Sequence, residues 1–266
     1  MKRQTAQAGH SKGAHMDITQ KFYDNMAGKY DRLFLDWDSS VRDQAVILDR
    51  IFAENGFDRS AHILDCACGI GTQTVGLAAL GYSVTSSDIS ENELAEAKKR
   101  AQERGLDIRF EKADFRALSD AFSGQFDIVI AMDNALPHML TRKDLETAVN
   151  SIAGRIKDNG IAVISIRDYD CILKEKPPYS PPYIHKTAKG QRVSFQKWEW
   201  NDENYRLVQY IIEDGESLET SRFECEYRAV RRQELTDLFL AAGCTRADWK
   251  MPDESGYYQP ILAVRK

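Results

Sequence analysis

A glycine-rich turn between a short apolar run and a helix constrains the fold of this chain more than any other feature. The run His62–Cys66 predicts a β-strand, and Gly69 and Gly71 follow it within a few residues. Glycine lets the backbone turn sharply and lets a ligand approach with no side chain in the way. Thr72–Leu80 predicts a helix, which Gly81 ends. Ligands of open α/β sheets bind beyond the carboxyl ends of the strands, so this turn predicts a binding site.

The alternation of strand and helix repeats after this unit. Phe126–Met132 is a nearly continuous apolar run, which is typical of a strand buried on both faces of a parallel sheet. The alternation predicts an α/β fold with a doubly wound, mostly parallel, seven-stranded Rossmann-like sheet. Asn159 and Gly160 are expected to stop the helix before the fifth strand. The other strands are predicted at Ser83–Ser87, Ile108–Lys112, Ile161–Arg167, Thr245–Lys250 and Pro260–Val264, and the helices at Glu91–Arg104, Arg142–Ile156 and Arg232–Ala242.

Two regions are expected to be added to this core. Apolar residues recur at helical spacing within residues 17–57, which predicts two N-terminal helices, the second capped within Asp38–Ser40. Residues 171–230 begin with a proline-rich loop and continue in alternating runs, which predicts an antiparallel insertion of three strands after the fifth core strand. The core then comprises residues 58–170 and 231–266, and residues 1–16 are interpreted as a flexible tail.

The composition argues against several classes of function. The 266 residues carry a formal net charge of −5, which disfavours broad neutralisation of nucleic-acid phosphates and binding to acidic membrane surfaces. No apolar run reaches the roughly 20 residues that span a bilayer, and the N-terminus lacks the apolar region of a secretory signal. We therefore expect a cytoplasmic protein with a small-molecule substrate and neither nucleic-acid nor membrane partners. The sequence leaves the oligomeric state open.

The cysteines indicate neither disulfides nor a metal site. Their number is odd and they are scattered, which suits a reducing compartment. Cys66 and Cys68 lack the second cysteine pair or histidine cluster that a zinc site needs, so they are interpreted as packing residues and no metal is expected. The five cysteines are Cys66, Cys68, Cys171, Cys225 and Cys244.

The residues around the turn discriminate between possible ligands. No Gly-Lys-Ser/Thr follows the glycines, so the turn is not a P-loop. Thr74 stands where a dinucleotide fingerprint requires its third glycine. Asp65 would repel a pyrophosphate, whereas it would attract the ammonium of a methionine moiety, directly or through water. These features favour S-adenosylmethionine over NAD.

Two further acids end the next two predicted strands. Asp88 can accept hydrogen bonds from both hydroxyls of a ribose, a need that NAD and S-adenosylmethionine share. Asp114 can bind an adenine amino group while Phe115 covers the ring. Either acid alone is explained equally well as a turn or cap residue. Three acids that end three successive strands are better explained by one ligand.

These segments resemble the motifs of class I S-adenosylmethionine-dependent methyltransferases. The resemblance lies in Ile63-Leu-Asp-Cys-Ala-Cys-Gly-Ile-Gly-Thr-Gln-Thr74, in Val84-Thr-Ser-Ser-Asp-Ile-Ser90, in Asp114 and in Phe126-Asp-Ile-Val-Ile-Ala-Met-Asp-Asn134. It implies a transferase that uses S-adenosyl-L-methionine and leaves S-adenosyl-L-homocysteine, with the N-terminal helices over the cofactor and Arg42 at its carboxylate. The cofactor-binding residues that it implies are Tyr23, Tyr30, Arg42, Asp65, Ala67, Gly69, Gly71, Asp88, Ile89, Asp114, Phe115 and Met132.

A narrower resemblance concerns the substrate. Asp133-Asn-Ala-Leu-Pro-His-Met139 and Arg167-Asp-Tyr-Asp-Cys-Ile-Leu173 resemble two signatures of glycine and sarcosine N-methyltransferases. It implies that Asn134 orients an amine and that Arg167 pairs with a carboxylate, as a planar guanidinium does well. The alternative for Arg167 is a salt bridge to Asp168 or Asp170. His138 either accepts the amine proton or orients its loop.

The sequence therefore favours N-methylation of a small amine or amino acid by in-line transfer, with the insertion on the substrate side. Asp133 and Pro137 depart from the narrower family pattern, as does Asp168 after the arginine. An oxygen acceptor, an amino sugar or a natural product on the same fold stays open. So do an NAD-dependent oxidoreductase and a non-catalytic S-adenosylmethionine-binding protein. Aromatic residues of the insertion suit a cage for a cationic amine, but core packing is the default interpretation.

Overall fold

The computed structural model describes residues 11–188 and 190–266. Two helices, α1 (Ser11–Met26) and α2 (Trp37–Glu54), precede the first strand, and the 3₁₀ segment Ala27–Leu33 joins them. The two expected N-terminal helices are thus present. Of the tail predicted at 1–16, residues 11–16 are helical and residues 1–10 lie outside the described part of the chain.

Helix α2 is capped by Asp36 and not by the expected segment Asp38–Ser40. The Asp36 backbone is extended, and its side chain accepts a hydrogen bond from the Ser39 amide at 3.2 Å. Such a side chain satisfies one of the free amides of the first turn. Because four residues of cap-forming type fall within Asp36–Ser40, the pattern alone does not single out the first of them.

The core alternates strands with helices as expected. Its first half comprises β1 (His62–Asp65), α3 (Thr72–Ala79), β2 (Ser83–Asp88), α4 (Glu91–Glu103), β3 (Arg109–Lys112), α5 (Leu118–Ala121), β4 (Phe126–Ala131), α6 (Arg142–Gly154) and β5 (Ile156–Ser165). After it come α7 (Tyr169–Glu175), four strands β6 (Tyr183–Thr187), β7 (Gly190–Asn201), β8 (Asn204–Asp214) and β9 (Leu218–Arg228), then α8 (Arg232–Ala241), β10 (Arg246–Lys250), α9 (Pro252–Ser255) and β11 (Ile261–Arg265).

The core sheet has seven strands in the order β10-β11-β5-β4-β1-β2-β3. The pairs from β5 to β3 are parallel, whereas β11 is antiparallel to both β5 and β10. The prediction of a mostly parallel seven-stranded sheet is confirmed. Strand order reverses between β1 and β4, so the turn after β1 lies at the switch point where such sheets bind ligands.

The Asn159–Gly160 pair lies within strand β5 and does not stop helix α6, which ends at Gly154. Asn159 has a positive φ of 62°, and the pairing of β4 with β5 shifts register between Phe126 and Ile128. A residue in the left-handed region beside such a shift is typical of a β-bulge. The turn-forming pair therefore produces an irregularity inside the strand.

A second, antiparallel sheet has the order β6-β7-β8-β9, so the insertion holds four strands and not the expected three. The additional strand, β6, begins directly after Pro182 and pairs only with β7. Proline is compatible with the start of an edge strand, because no ladder partner needs its missing amide. Most β6 side chains are exposed, so β6 lacks the alternation that would have predicted a strand.

The two faces of the core sheet are covered by different helices. On one face Leu48 and Phe52 of α2 pack with Ile63 and Ile128, whereas Leu64 and Val129 belong to a cluster with Val149 of α6. This second cluster extends without interruption into the antiparallel sheet. Its members there are Trp198, Tyr205, Leu207, Cys225 and Tyr227. The two sheets are therefore joined by one shared apolar core.

Gly76 permits the close packing of α3 against α2. A Cβ atom at Gly76 would lie 2.6 Å from the Val41 carbonyl oxygen and 2.8 Å from the Ala45 Cβ. Val41 and Ala45 are one helical turn apart on the buried face of α2. The N-terminal helix is thus held directly against the helix that follows the glycine-rich turn.

Candidate active site

A cavity opens at the carboxyl ends of β1, β2 and β4. Open α/β sheets bind their ligands at this edge. Ten of the residues predicted from the sequence line it: Tyr23, Tyr30, Ala67, Gly69, Asp88, Ile89, Asp114, Phe115, Met132 and His138. Five others, Arg42, Asp65, Gly71, Asn134 and Arg167, do not belong to its wall. The wall residues that the sequence did not single out include Thr19, Thr72, Gln73, Glu93 and Asp133.

The glycine-rich turn is held against the end of β2. The Gly69 amide donates to Asp88 Oδ2 at 2.8 Å, and the Ser90 amide donates to Oδ1 at 2.9 Å. Burial raises the pKa of Asp88, although these two amides oppose the shift. Gly71 caps α3 with a φ of 88°, a conformation that favours glycine. Gly71 therefore shapes the turn from outside the wall, while Asp88 is fixed at the edge of the cavity.

Asp65 lies behind the turn. Its side chain accepts a hydrogen bond from Thr74 Oγ1 at 2.7 Å and one from the Ala67 amide at 3.4 Å, and the residue is only 1% exposed. Burial raises its pKa to about 7. Thr74 also bonds Ser86 Oγ at 2.8 Å, so this side chain makes contacts that the third glycine of a dinucleotide site could not make. Direct contact between Asp65 and a ligand is not part of this arrangement.

The cavity wall beyond Asp88 contains Ile89, Asp114 and Phe115, the residues predicted to hold an adenine. The Asp114 carboxylate is already engaged by Arg116, whose amide and guanidinium donate to it at 2.7–3.2 Å. Asp114 is therefore a fixed acceptor at the wall. Its role in binding an adenine stays a prediction.

Arg42 is not brought to the cavity. It is exposed on α2, and its guanidinium donates to Ser39 Oγ at 2.9 Å. The buried face of α2 passes through Val41, Gln44 and Ala45, which leaves Arg42 on the other side of the helix. The residues that do cover the cavity from the N-terminal segment are Thr19, Tyr23 and Tyr30.

A buried polar network borders the same cavity. Gln73 Nε2 donates to Gln44 Oε1 at 2.6 Å and to Asp133 Oδ2 at 2.8 Å. Asp133 Oδ1 accepts from Tyr258 at 2.7 Å and from the hydroxyl of Tyr257. Asp133 and Tyr257 are 124 positions apart in the sequence, so no local pattern signals this network. It fixes Asp133, at the end of β4, in a left-handed conformation with a φ of 56°.

Asn134 and Arg167 lie next to each other beyond the cavity wall. The Arg167 amide donates to Asn134 Oδ1 at 3.1 Å, and the Asn134 amide donates to the Ser165 carbonyl at 3.2 Å. Asn134 is buried and has a φ of 71°. The predicted pair is thus assembled by the ends of β4 and β5. Oδ1 is thus engaged, whereas Nδ2 of the Asn134 amide is buried and has no hydrogen-bond partner among the described residues.

The Arg167 guanidinium faces the antiparallel sheet. It donates to the Tyr205 hydroxyl at 2.8 Å and to Gln196 Oε1 at 3.0 Å, and it lies 5.2 Å from the ring centroid of Trp198 and 5.4 Å from that of Tyr227. Desolvation opposes its charge, but the oxygens of Tyr205, Tyr169 and Tyr227 prevail and raise the pKa of Arg167.

Within the described residues no carboxylate lies within 4.0 Å of the Arg167 guanidinium. The two acids that follow it in the sequence pair with Arg232 instead, Asp168 at 2.6 Å and Asp170 at 3.2 Å. The salt bridge considered as an alternative for Arg167 is therefore not formed. A half-buried cation held by neutral partners can bind an anion.

His138 connects the cavity to the N-terminal segment. Its Nε2 lies 2.8 Å from the Tyr23 hydroxyl, and its ring lies against Tyr227 with 4.1 Å between centroids. Lys29 Nζ donates to Ser221 Oγ at 2.6 Å, and Arg32 forms an ion pair with Glu213. The segment over the cavity is thus joined both to the 3₁₀ turn of His138 and to the antiparallel sheet.

Among residues 11–188 and 190–266 no group of three or more His, Cys, Asp or Glu side chains is placed to hold a metal ion. In the same part of the chain no helix is long and apolar enough to cross a membrane.

Known proteins resemble this chain in sequence and in structure. A family described as a methyltransferase domain matches residues 63–160. A glycine/sarcosine N-methyltransferase of Parasynechococcus marenigrum is 28% identical over 217 residues, which cover 80% of this chain and 73% of that protein. An S-adenosylmethionine-dependent methyltransferase from Clostridium acetobutylicum superposes with a TM-score of 0.72 and 17% identity, covering 91% of this chain and 98% of the other.

A further solved structure is CalS10 of Micromonospora echinaspora, an amino pentose methyltransferase with S-adenosylmethionine bound. It superposes with a TM-score of 0.69 and 17% identity over 85% of this chain and 92% of that one. At these identities the two structures show the fold alone.

The residues around the cavity fit S-adenosylmethionine. The Gly69 amide holds the Asp88 carboxylate at the cavity wall, where a carboxylate can accept hydrogen bonds from hydroxyl groups. Apolar wall residues such as Ile89, Phe115 and Met132 suit an adenine and a thioether chain. The cofactor of the enzyme is S-adenosylmethionine. With its methyltransferase domain at residues 63–160, its seven-stranded sheet and its matching motifs, the chain is an S-adenosylmethionine-dependent methyltransferase and is related to the glycine/sarcosine N-methyltransferases.

Proposed function

We propose that the enzyme methylates the amine nitrogen of a small acceptor that also carries a carboxylate, such as an amino acid. The observation that carries this proposal is the Arg167 guanidinium, which is half-buried and has no anionic partner among the described residues. A planar guanidinium binds a carboxylate with two parallel hydrogen bonds. The relatives named glycine/sarcosine N-methyltransferases support an acceptor of this kind.

Residues 171–230 form the substrate-side unit in this proposal, and residues 17–57 cover the cofactor. The antiparallel sheet contributes Tyr205, Trp198 and Tyr227 around the guanidinium, and the N-terminal segment contributes Tyr23 and Tyr30 to the cavity. In this proposal these aromatic side chains keep water from the acceptor when the site is occupied. An enclosed site also strengthens the pairing of Arg167 with an anion.

Methyl transfer from a sulfonium needs little acid–base catalysis by the protein. The bound cofactor supplies a methyl group that is strongly electrophilic on its sulfonium, so an uncharged amine in line with it suffices. Asn134 Nδ2 and Arg167 would fix the acceptor by its polar groups and so orient its nitrogen. His138 Nε2 is engaged by the Tyr23 hydroxyl, which favours a positioning role for this imidazole over that of a proton acceptor.

Paired acceptors test the proposal most sharply. We would measure S-adenosylhomocysteine formation from amino acids, from their uncharged amides and from amino sugars without a carboxylate. The wild-type enzyme is expected to prefer the acid over its amide in kcat/KM by about 10- to 100-fold, the range of a hydrogen bond to a charged group. Arg167→Met should remove this preference without weakening S-adenosylhomocysteine binding.

A matched control is Arg206→Met, because Arg206 lies in the same antiparallel sheet but is exposed and pairs with Glu199 and Glu224. This variant should keep the preference for the acid. Amino sugars are the second candidate class, since CalS10 is an amino pentose methyltransferase. If amino sugars were the better acceptors and Arg167→Met left their turnover unchanged, the carboxylate proposal would be wrong.

A further inference from the structure

The Glu93 side chain is a buried carboxyl group in the cavity wall without an evident partner. The residue is 0% exposed, and among the described residues neither Oε1 nor Oε2 has a hydrogen-bond partner. Its backbone amide, in contrast, is satisfied by Ser90 Oγ at 3.1 Å. Leaving a buried polar group unpaired costs free energy, so such a group indicates a ligand or a structural reason.

The surroundings of Glu93 do not provide an ion pair. The acids that face it are Asp88 of β2, Asp24 of α1 and Glu96 of its own helix, and the cation is Arg100. Arg100 pairs with Asp31 at 3.2 Å and lies over the Trp37 ring. Burial, then Asp88 and Asp24, raise the pKa of Glu93 well above its usual value. A neutral carboxylic acid can both donate and accept a hydrogen bond.

Gly69 shows where the Glu93 carboxyl group lies. A Cβ atom added to Gly69 would be 2.7 Å from Glu93 Oε2, so the carboxyl group fills the space that a side chain would take. The amide of the same glycine donates to Asp88 Oδ2 at 2.8 Å. The Asp88 and Glu93 carboxyl groups therefore both adjoin Gly69, at one end of the cavity.

We propose that the Glu93 carboxyl group is a second hydrogen-bonding partner, beside Asp88, for the ribose hydroxyl groups of the bound cofactor. Vicinal hydroxyls bring two donors and several acceptor lone pairs to this end of the cavity. Each Asp88 oxygen already accepts one backbone amide, and an ionised carboxylate donates nothing. A neutral Glu93 supplies the missing donor and one more acceptor. This inference depends on the cofactor and not on the identity of the methyl acceptor.

The test combines variants with cofactor analogues that lack one hydroxyl. Calorimetry would measure the affinity of the full chain for S-adenosylhomocysteine and for its 2′-deoxy and 3′-deoxy analogues. The wild-type protein is expected to bind at least one deoxy analogue about 10- to 100-fold more weakly. Glu93→Leu should weaken S-adenosylhomocysteine by a similar factor and should lose this discrimination. Glu93→Gln, which keeps a donor and an acceptor, should keep most of both.

Glu91→Leu is the matched control, because Glu91 lies in the same first turn of α4 but is exposed and pairs with Lys112. It should bind all three ligands as the wild type does. Equal weakening of all three ligands in Glu93→Leu would mean a structural role and would overturn the proposal, as would unchanged discrimination. If circular dichroism showed that Glu93→Leu does not fold, the unbranched Glu93→Met would be judged by the same criterion.

Discussion

At the scale of single residues, the carboxyl groups of this site differ mainly in what surrounds them. Asp88 is held by two backbone amides at the cavity, whereas Asp65 is buried behind the turn and bonded to Thr74. Burial raises the pKa of both, and that of Asp65 reaches about 7. Because a positively charged ammonium of the ligand favours an ionised neighbour, Asp65 can influence binding through the turn without touching the ligand.

This position of Asp65 predicts a pH-dependent affinity. Below about pH 7 the unliganded protein carries a proton on Asp65, and a nearby ammonium favours its release. The affinity for S-adenosylhomocysteine should therefore rise by about several-fold from pH 5.5 to 7.5, as calorimetry would measure. Asp65→Asn should bind more weakly at pH 7.5 and should show a flat profile. A wild-type profile that is flat over this range would exclude the coupling.

The same titration acts on stability with the opposite sign. The pKa of an aspartate is near 3.8 in the unfolded chain, so between about pH 4 and 7 the folded protein holds a proton on Asp65 that the unfolded chain has lost. The contribution of Asp65 to the free energy of unfolding therefore falls as pH rises through about 7. Cofactor binding is expected to offset this loss, because it stabilises the folded state.

Local patterns predicted those site residues that follow strands directly. Asp88, Asp114 and Met132 lie where the end of a predicted strand places them, and the cavity wall contains all three. Glu93 lies in the first turn of α4 and resembles an ordinary first-turn acid, so only its burial reveals it. The bond between Asp133 and Tyr257 depends on β11 returning to the sheet beside β5. Such contacts are set by topology and not by spacing.

At the scale of elements, helices α2 and α3 pack closely because Gly76 has no side chain. Gly76→Ala should lower the free energy of unfolding by about 1–3 kcal/mol, because the new methyl group would meet Val41 and Ala45. The gain in helix propensity, about 1 kcal/mol, acts in the other direction. Urea denaturation would measure the net effect.

Gly154→Ala in helix α6 provides the control, since a Cβ atom there meets nothing within 4 Å. This variant should be as stable as the wild type or slightly more stable. If Gly76→Ala matched it, the close approach of the two helices would not limit stability.

Some boundaries of helices and strands could not be predicted from sequence patterns alone. Strand β6 follows two prolines and is largely exposed, and so has neither the apolar alternation nor the length that signals a strand. Strand β6 forms because it pairs with the edge of β7. The prediction of a cap within Asp38–Ser40 and that of a helix stop at Asn159–Gly160 are wrong for a related reason. Residues of turn-forming type are common near helix ends and turns, and tertiary packing decides which of them caps a helix or interrupts a strand.

At the scale of the whole molecule, the two sheets share one apolar core. Leu64 and Val129 of the parallel sheet belong to the same buried cluster as Leu207 and Tyr227 of the antiparallel one. The N-terminal segment contacts both sheets: α2 packs on the parallel sheet through Leu48 and Phe52, and Lys29 donates a hydrogen bond to Ser221 of the antiparallel sheet. A core that is continuous in this way makes independent unfolding of the insertion costly, because it would expose the apolar side chains of both sheets.

Hydrogen exchange would therefore detect one cooperative unit. In the unliganded protein, buried amides of β7 and β8 should be protected to about the same free energy as those of β1 and β4, within roughly 1 kcal/mol. Added S-adenosylhomocysteine should raise protection in both sheets together, since a ligand that binds the folded state opposes global unfolding everywhere. Exchange in β7 and β8 that stayed fast and insensitive to the ligand would mean that the substrate-side unit opens on its own. Such opening would also disrupt the candidate site. Arg167 follows the parallel sheet and Tyr205 belongs to the antiparallel one, so their 2.8 Å hydrogen bond exists only while the two sheets are docked.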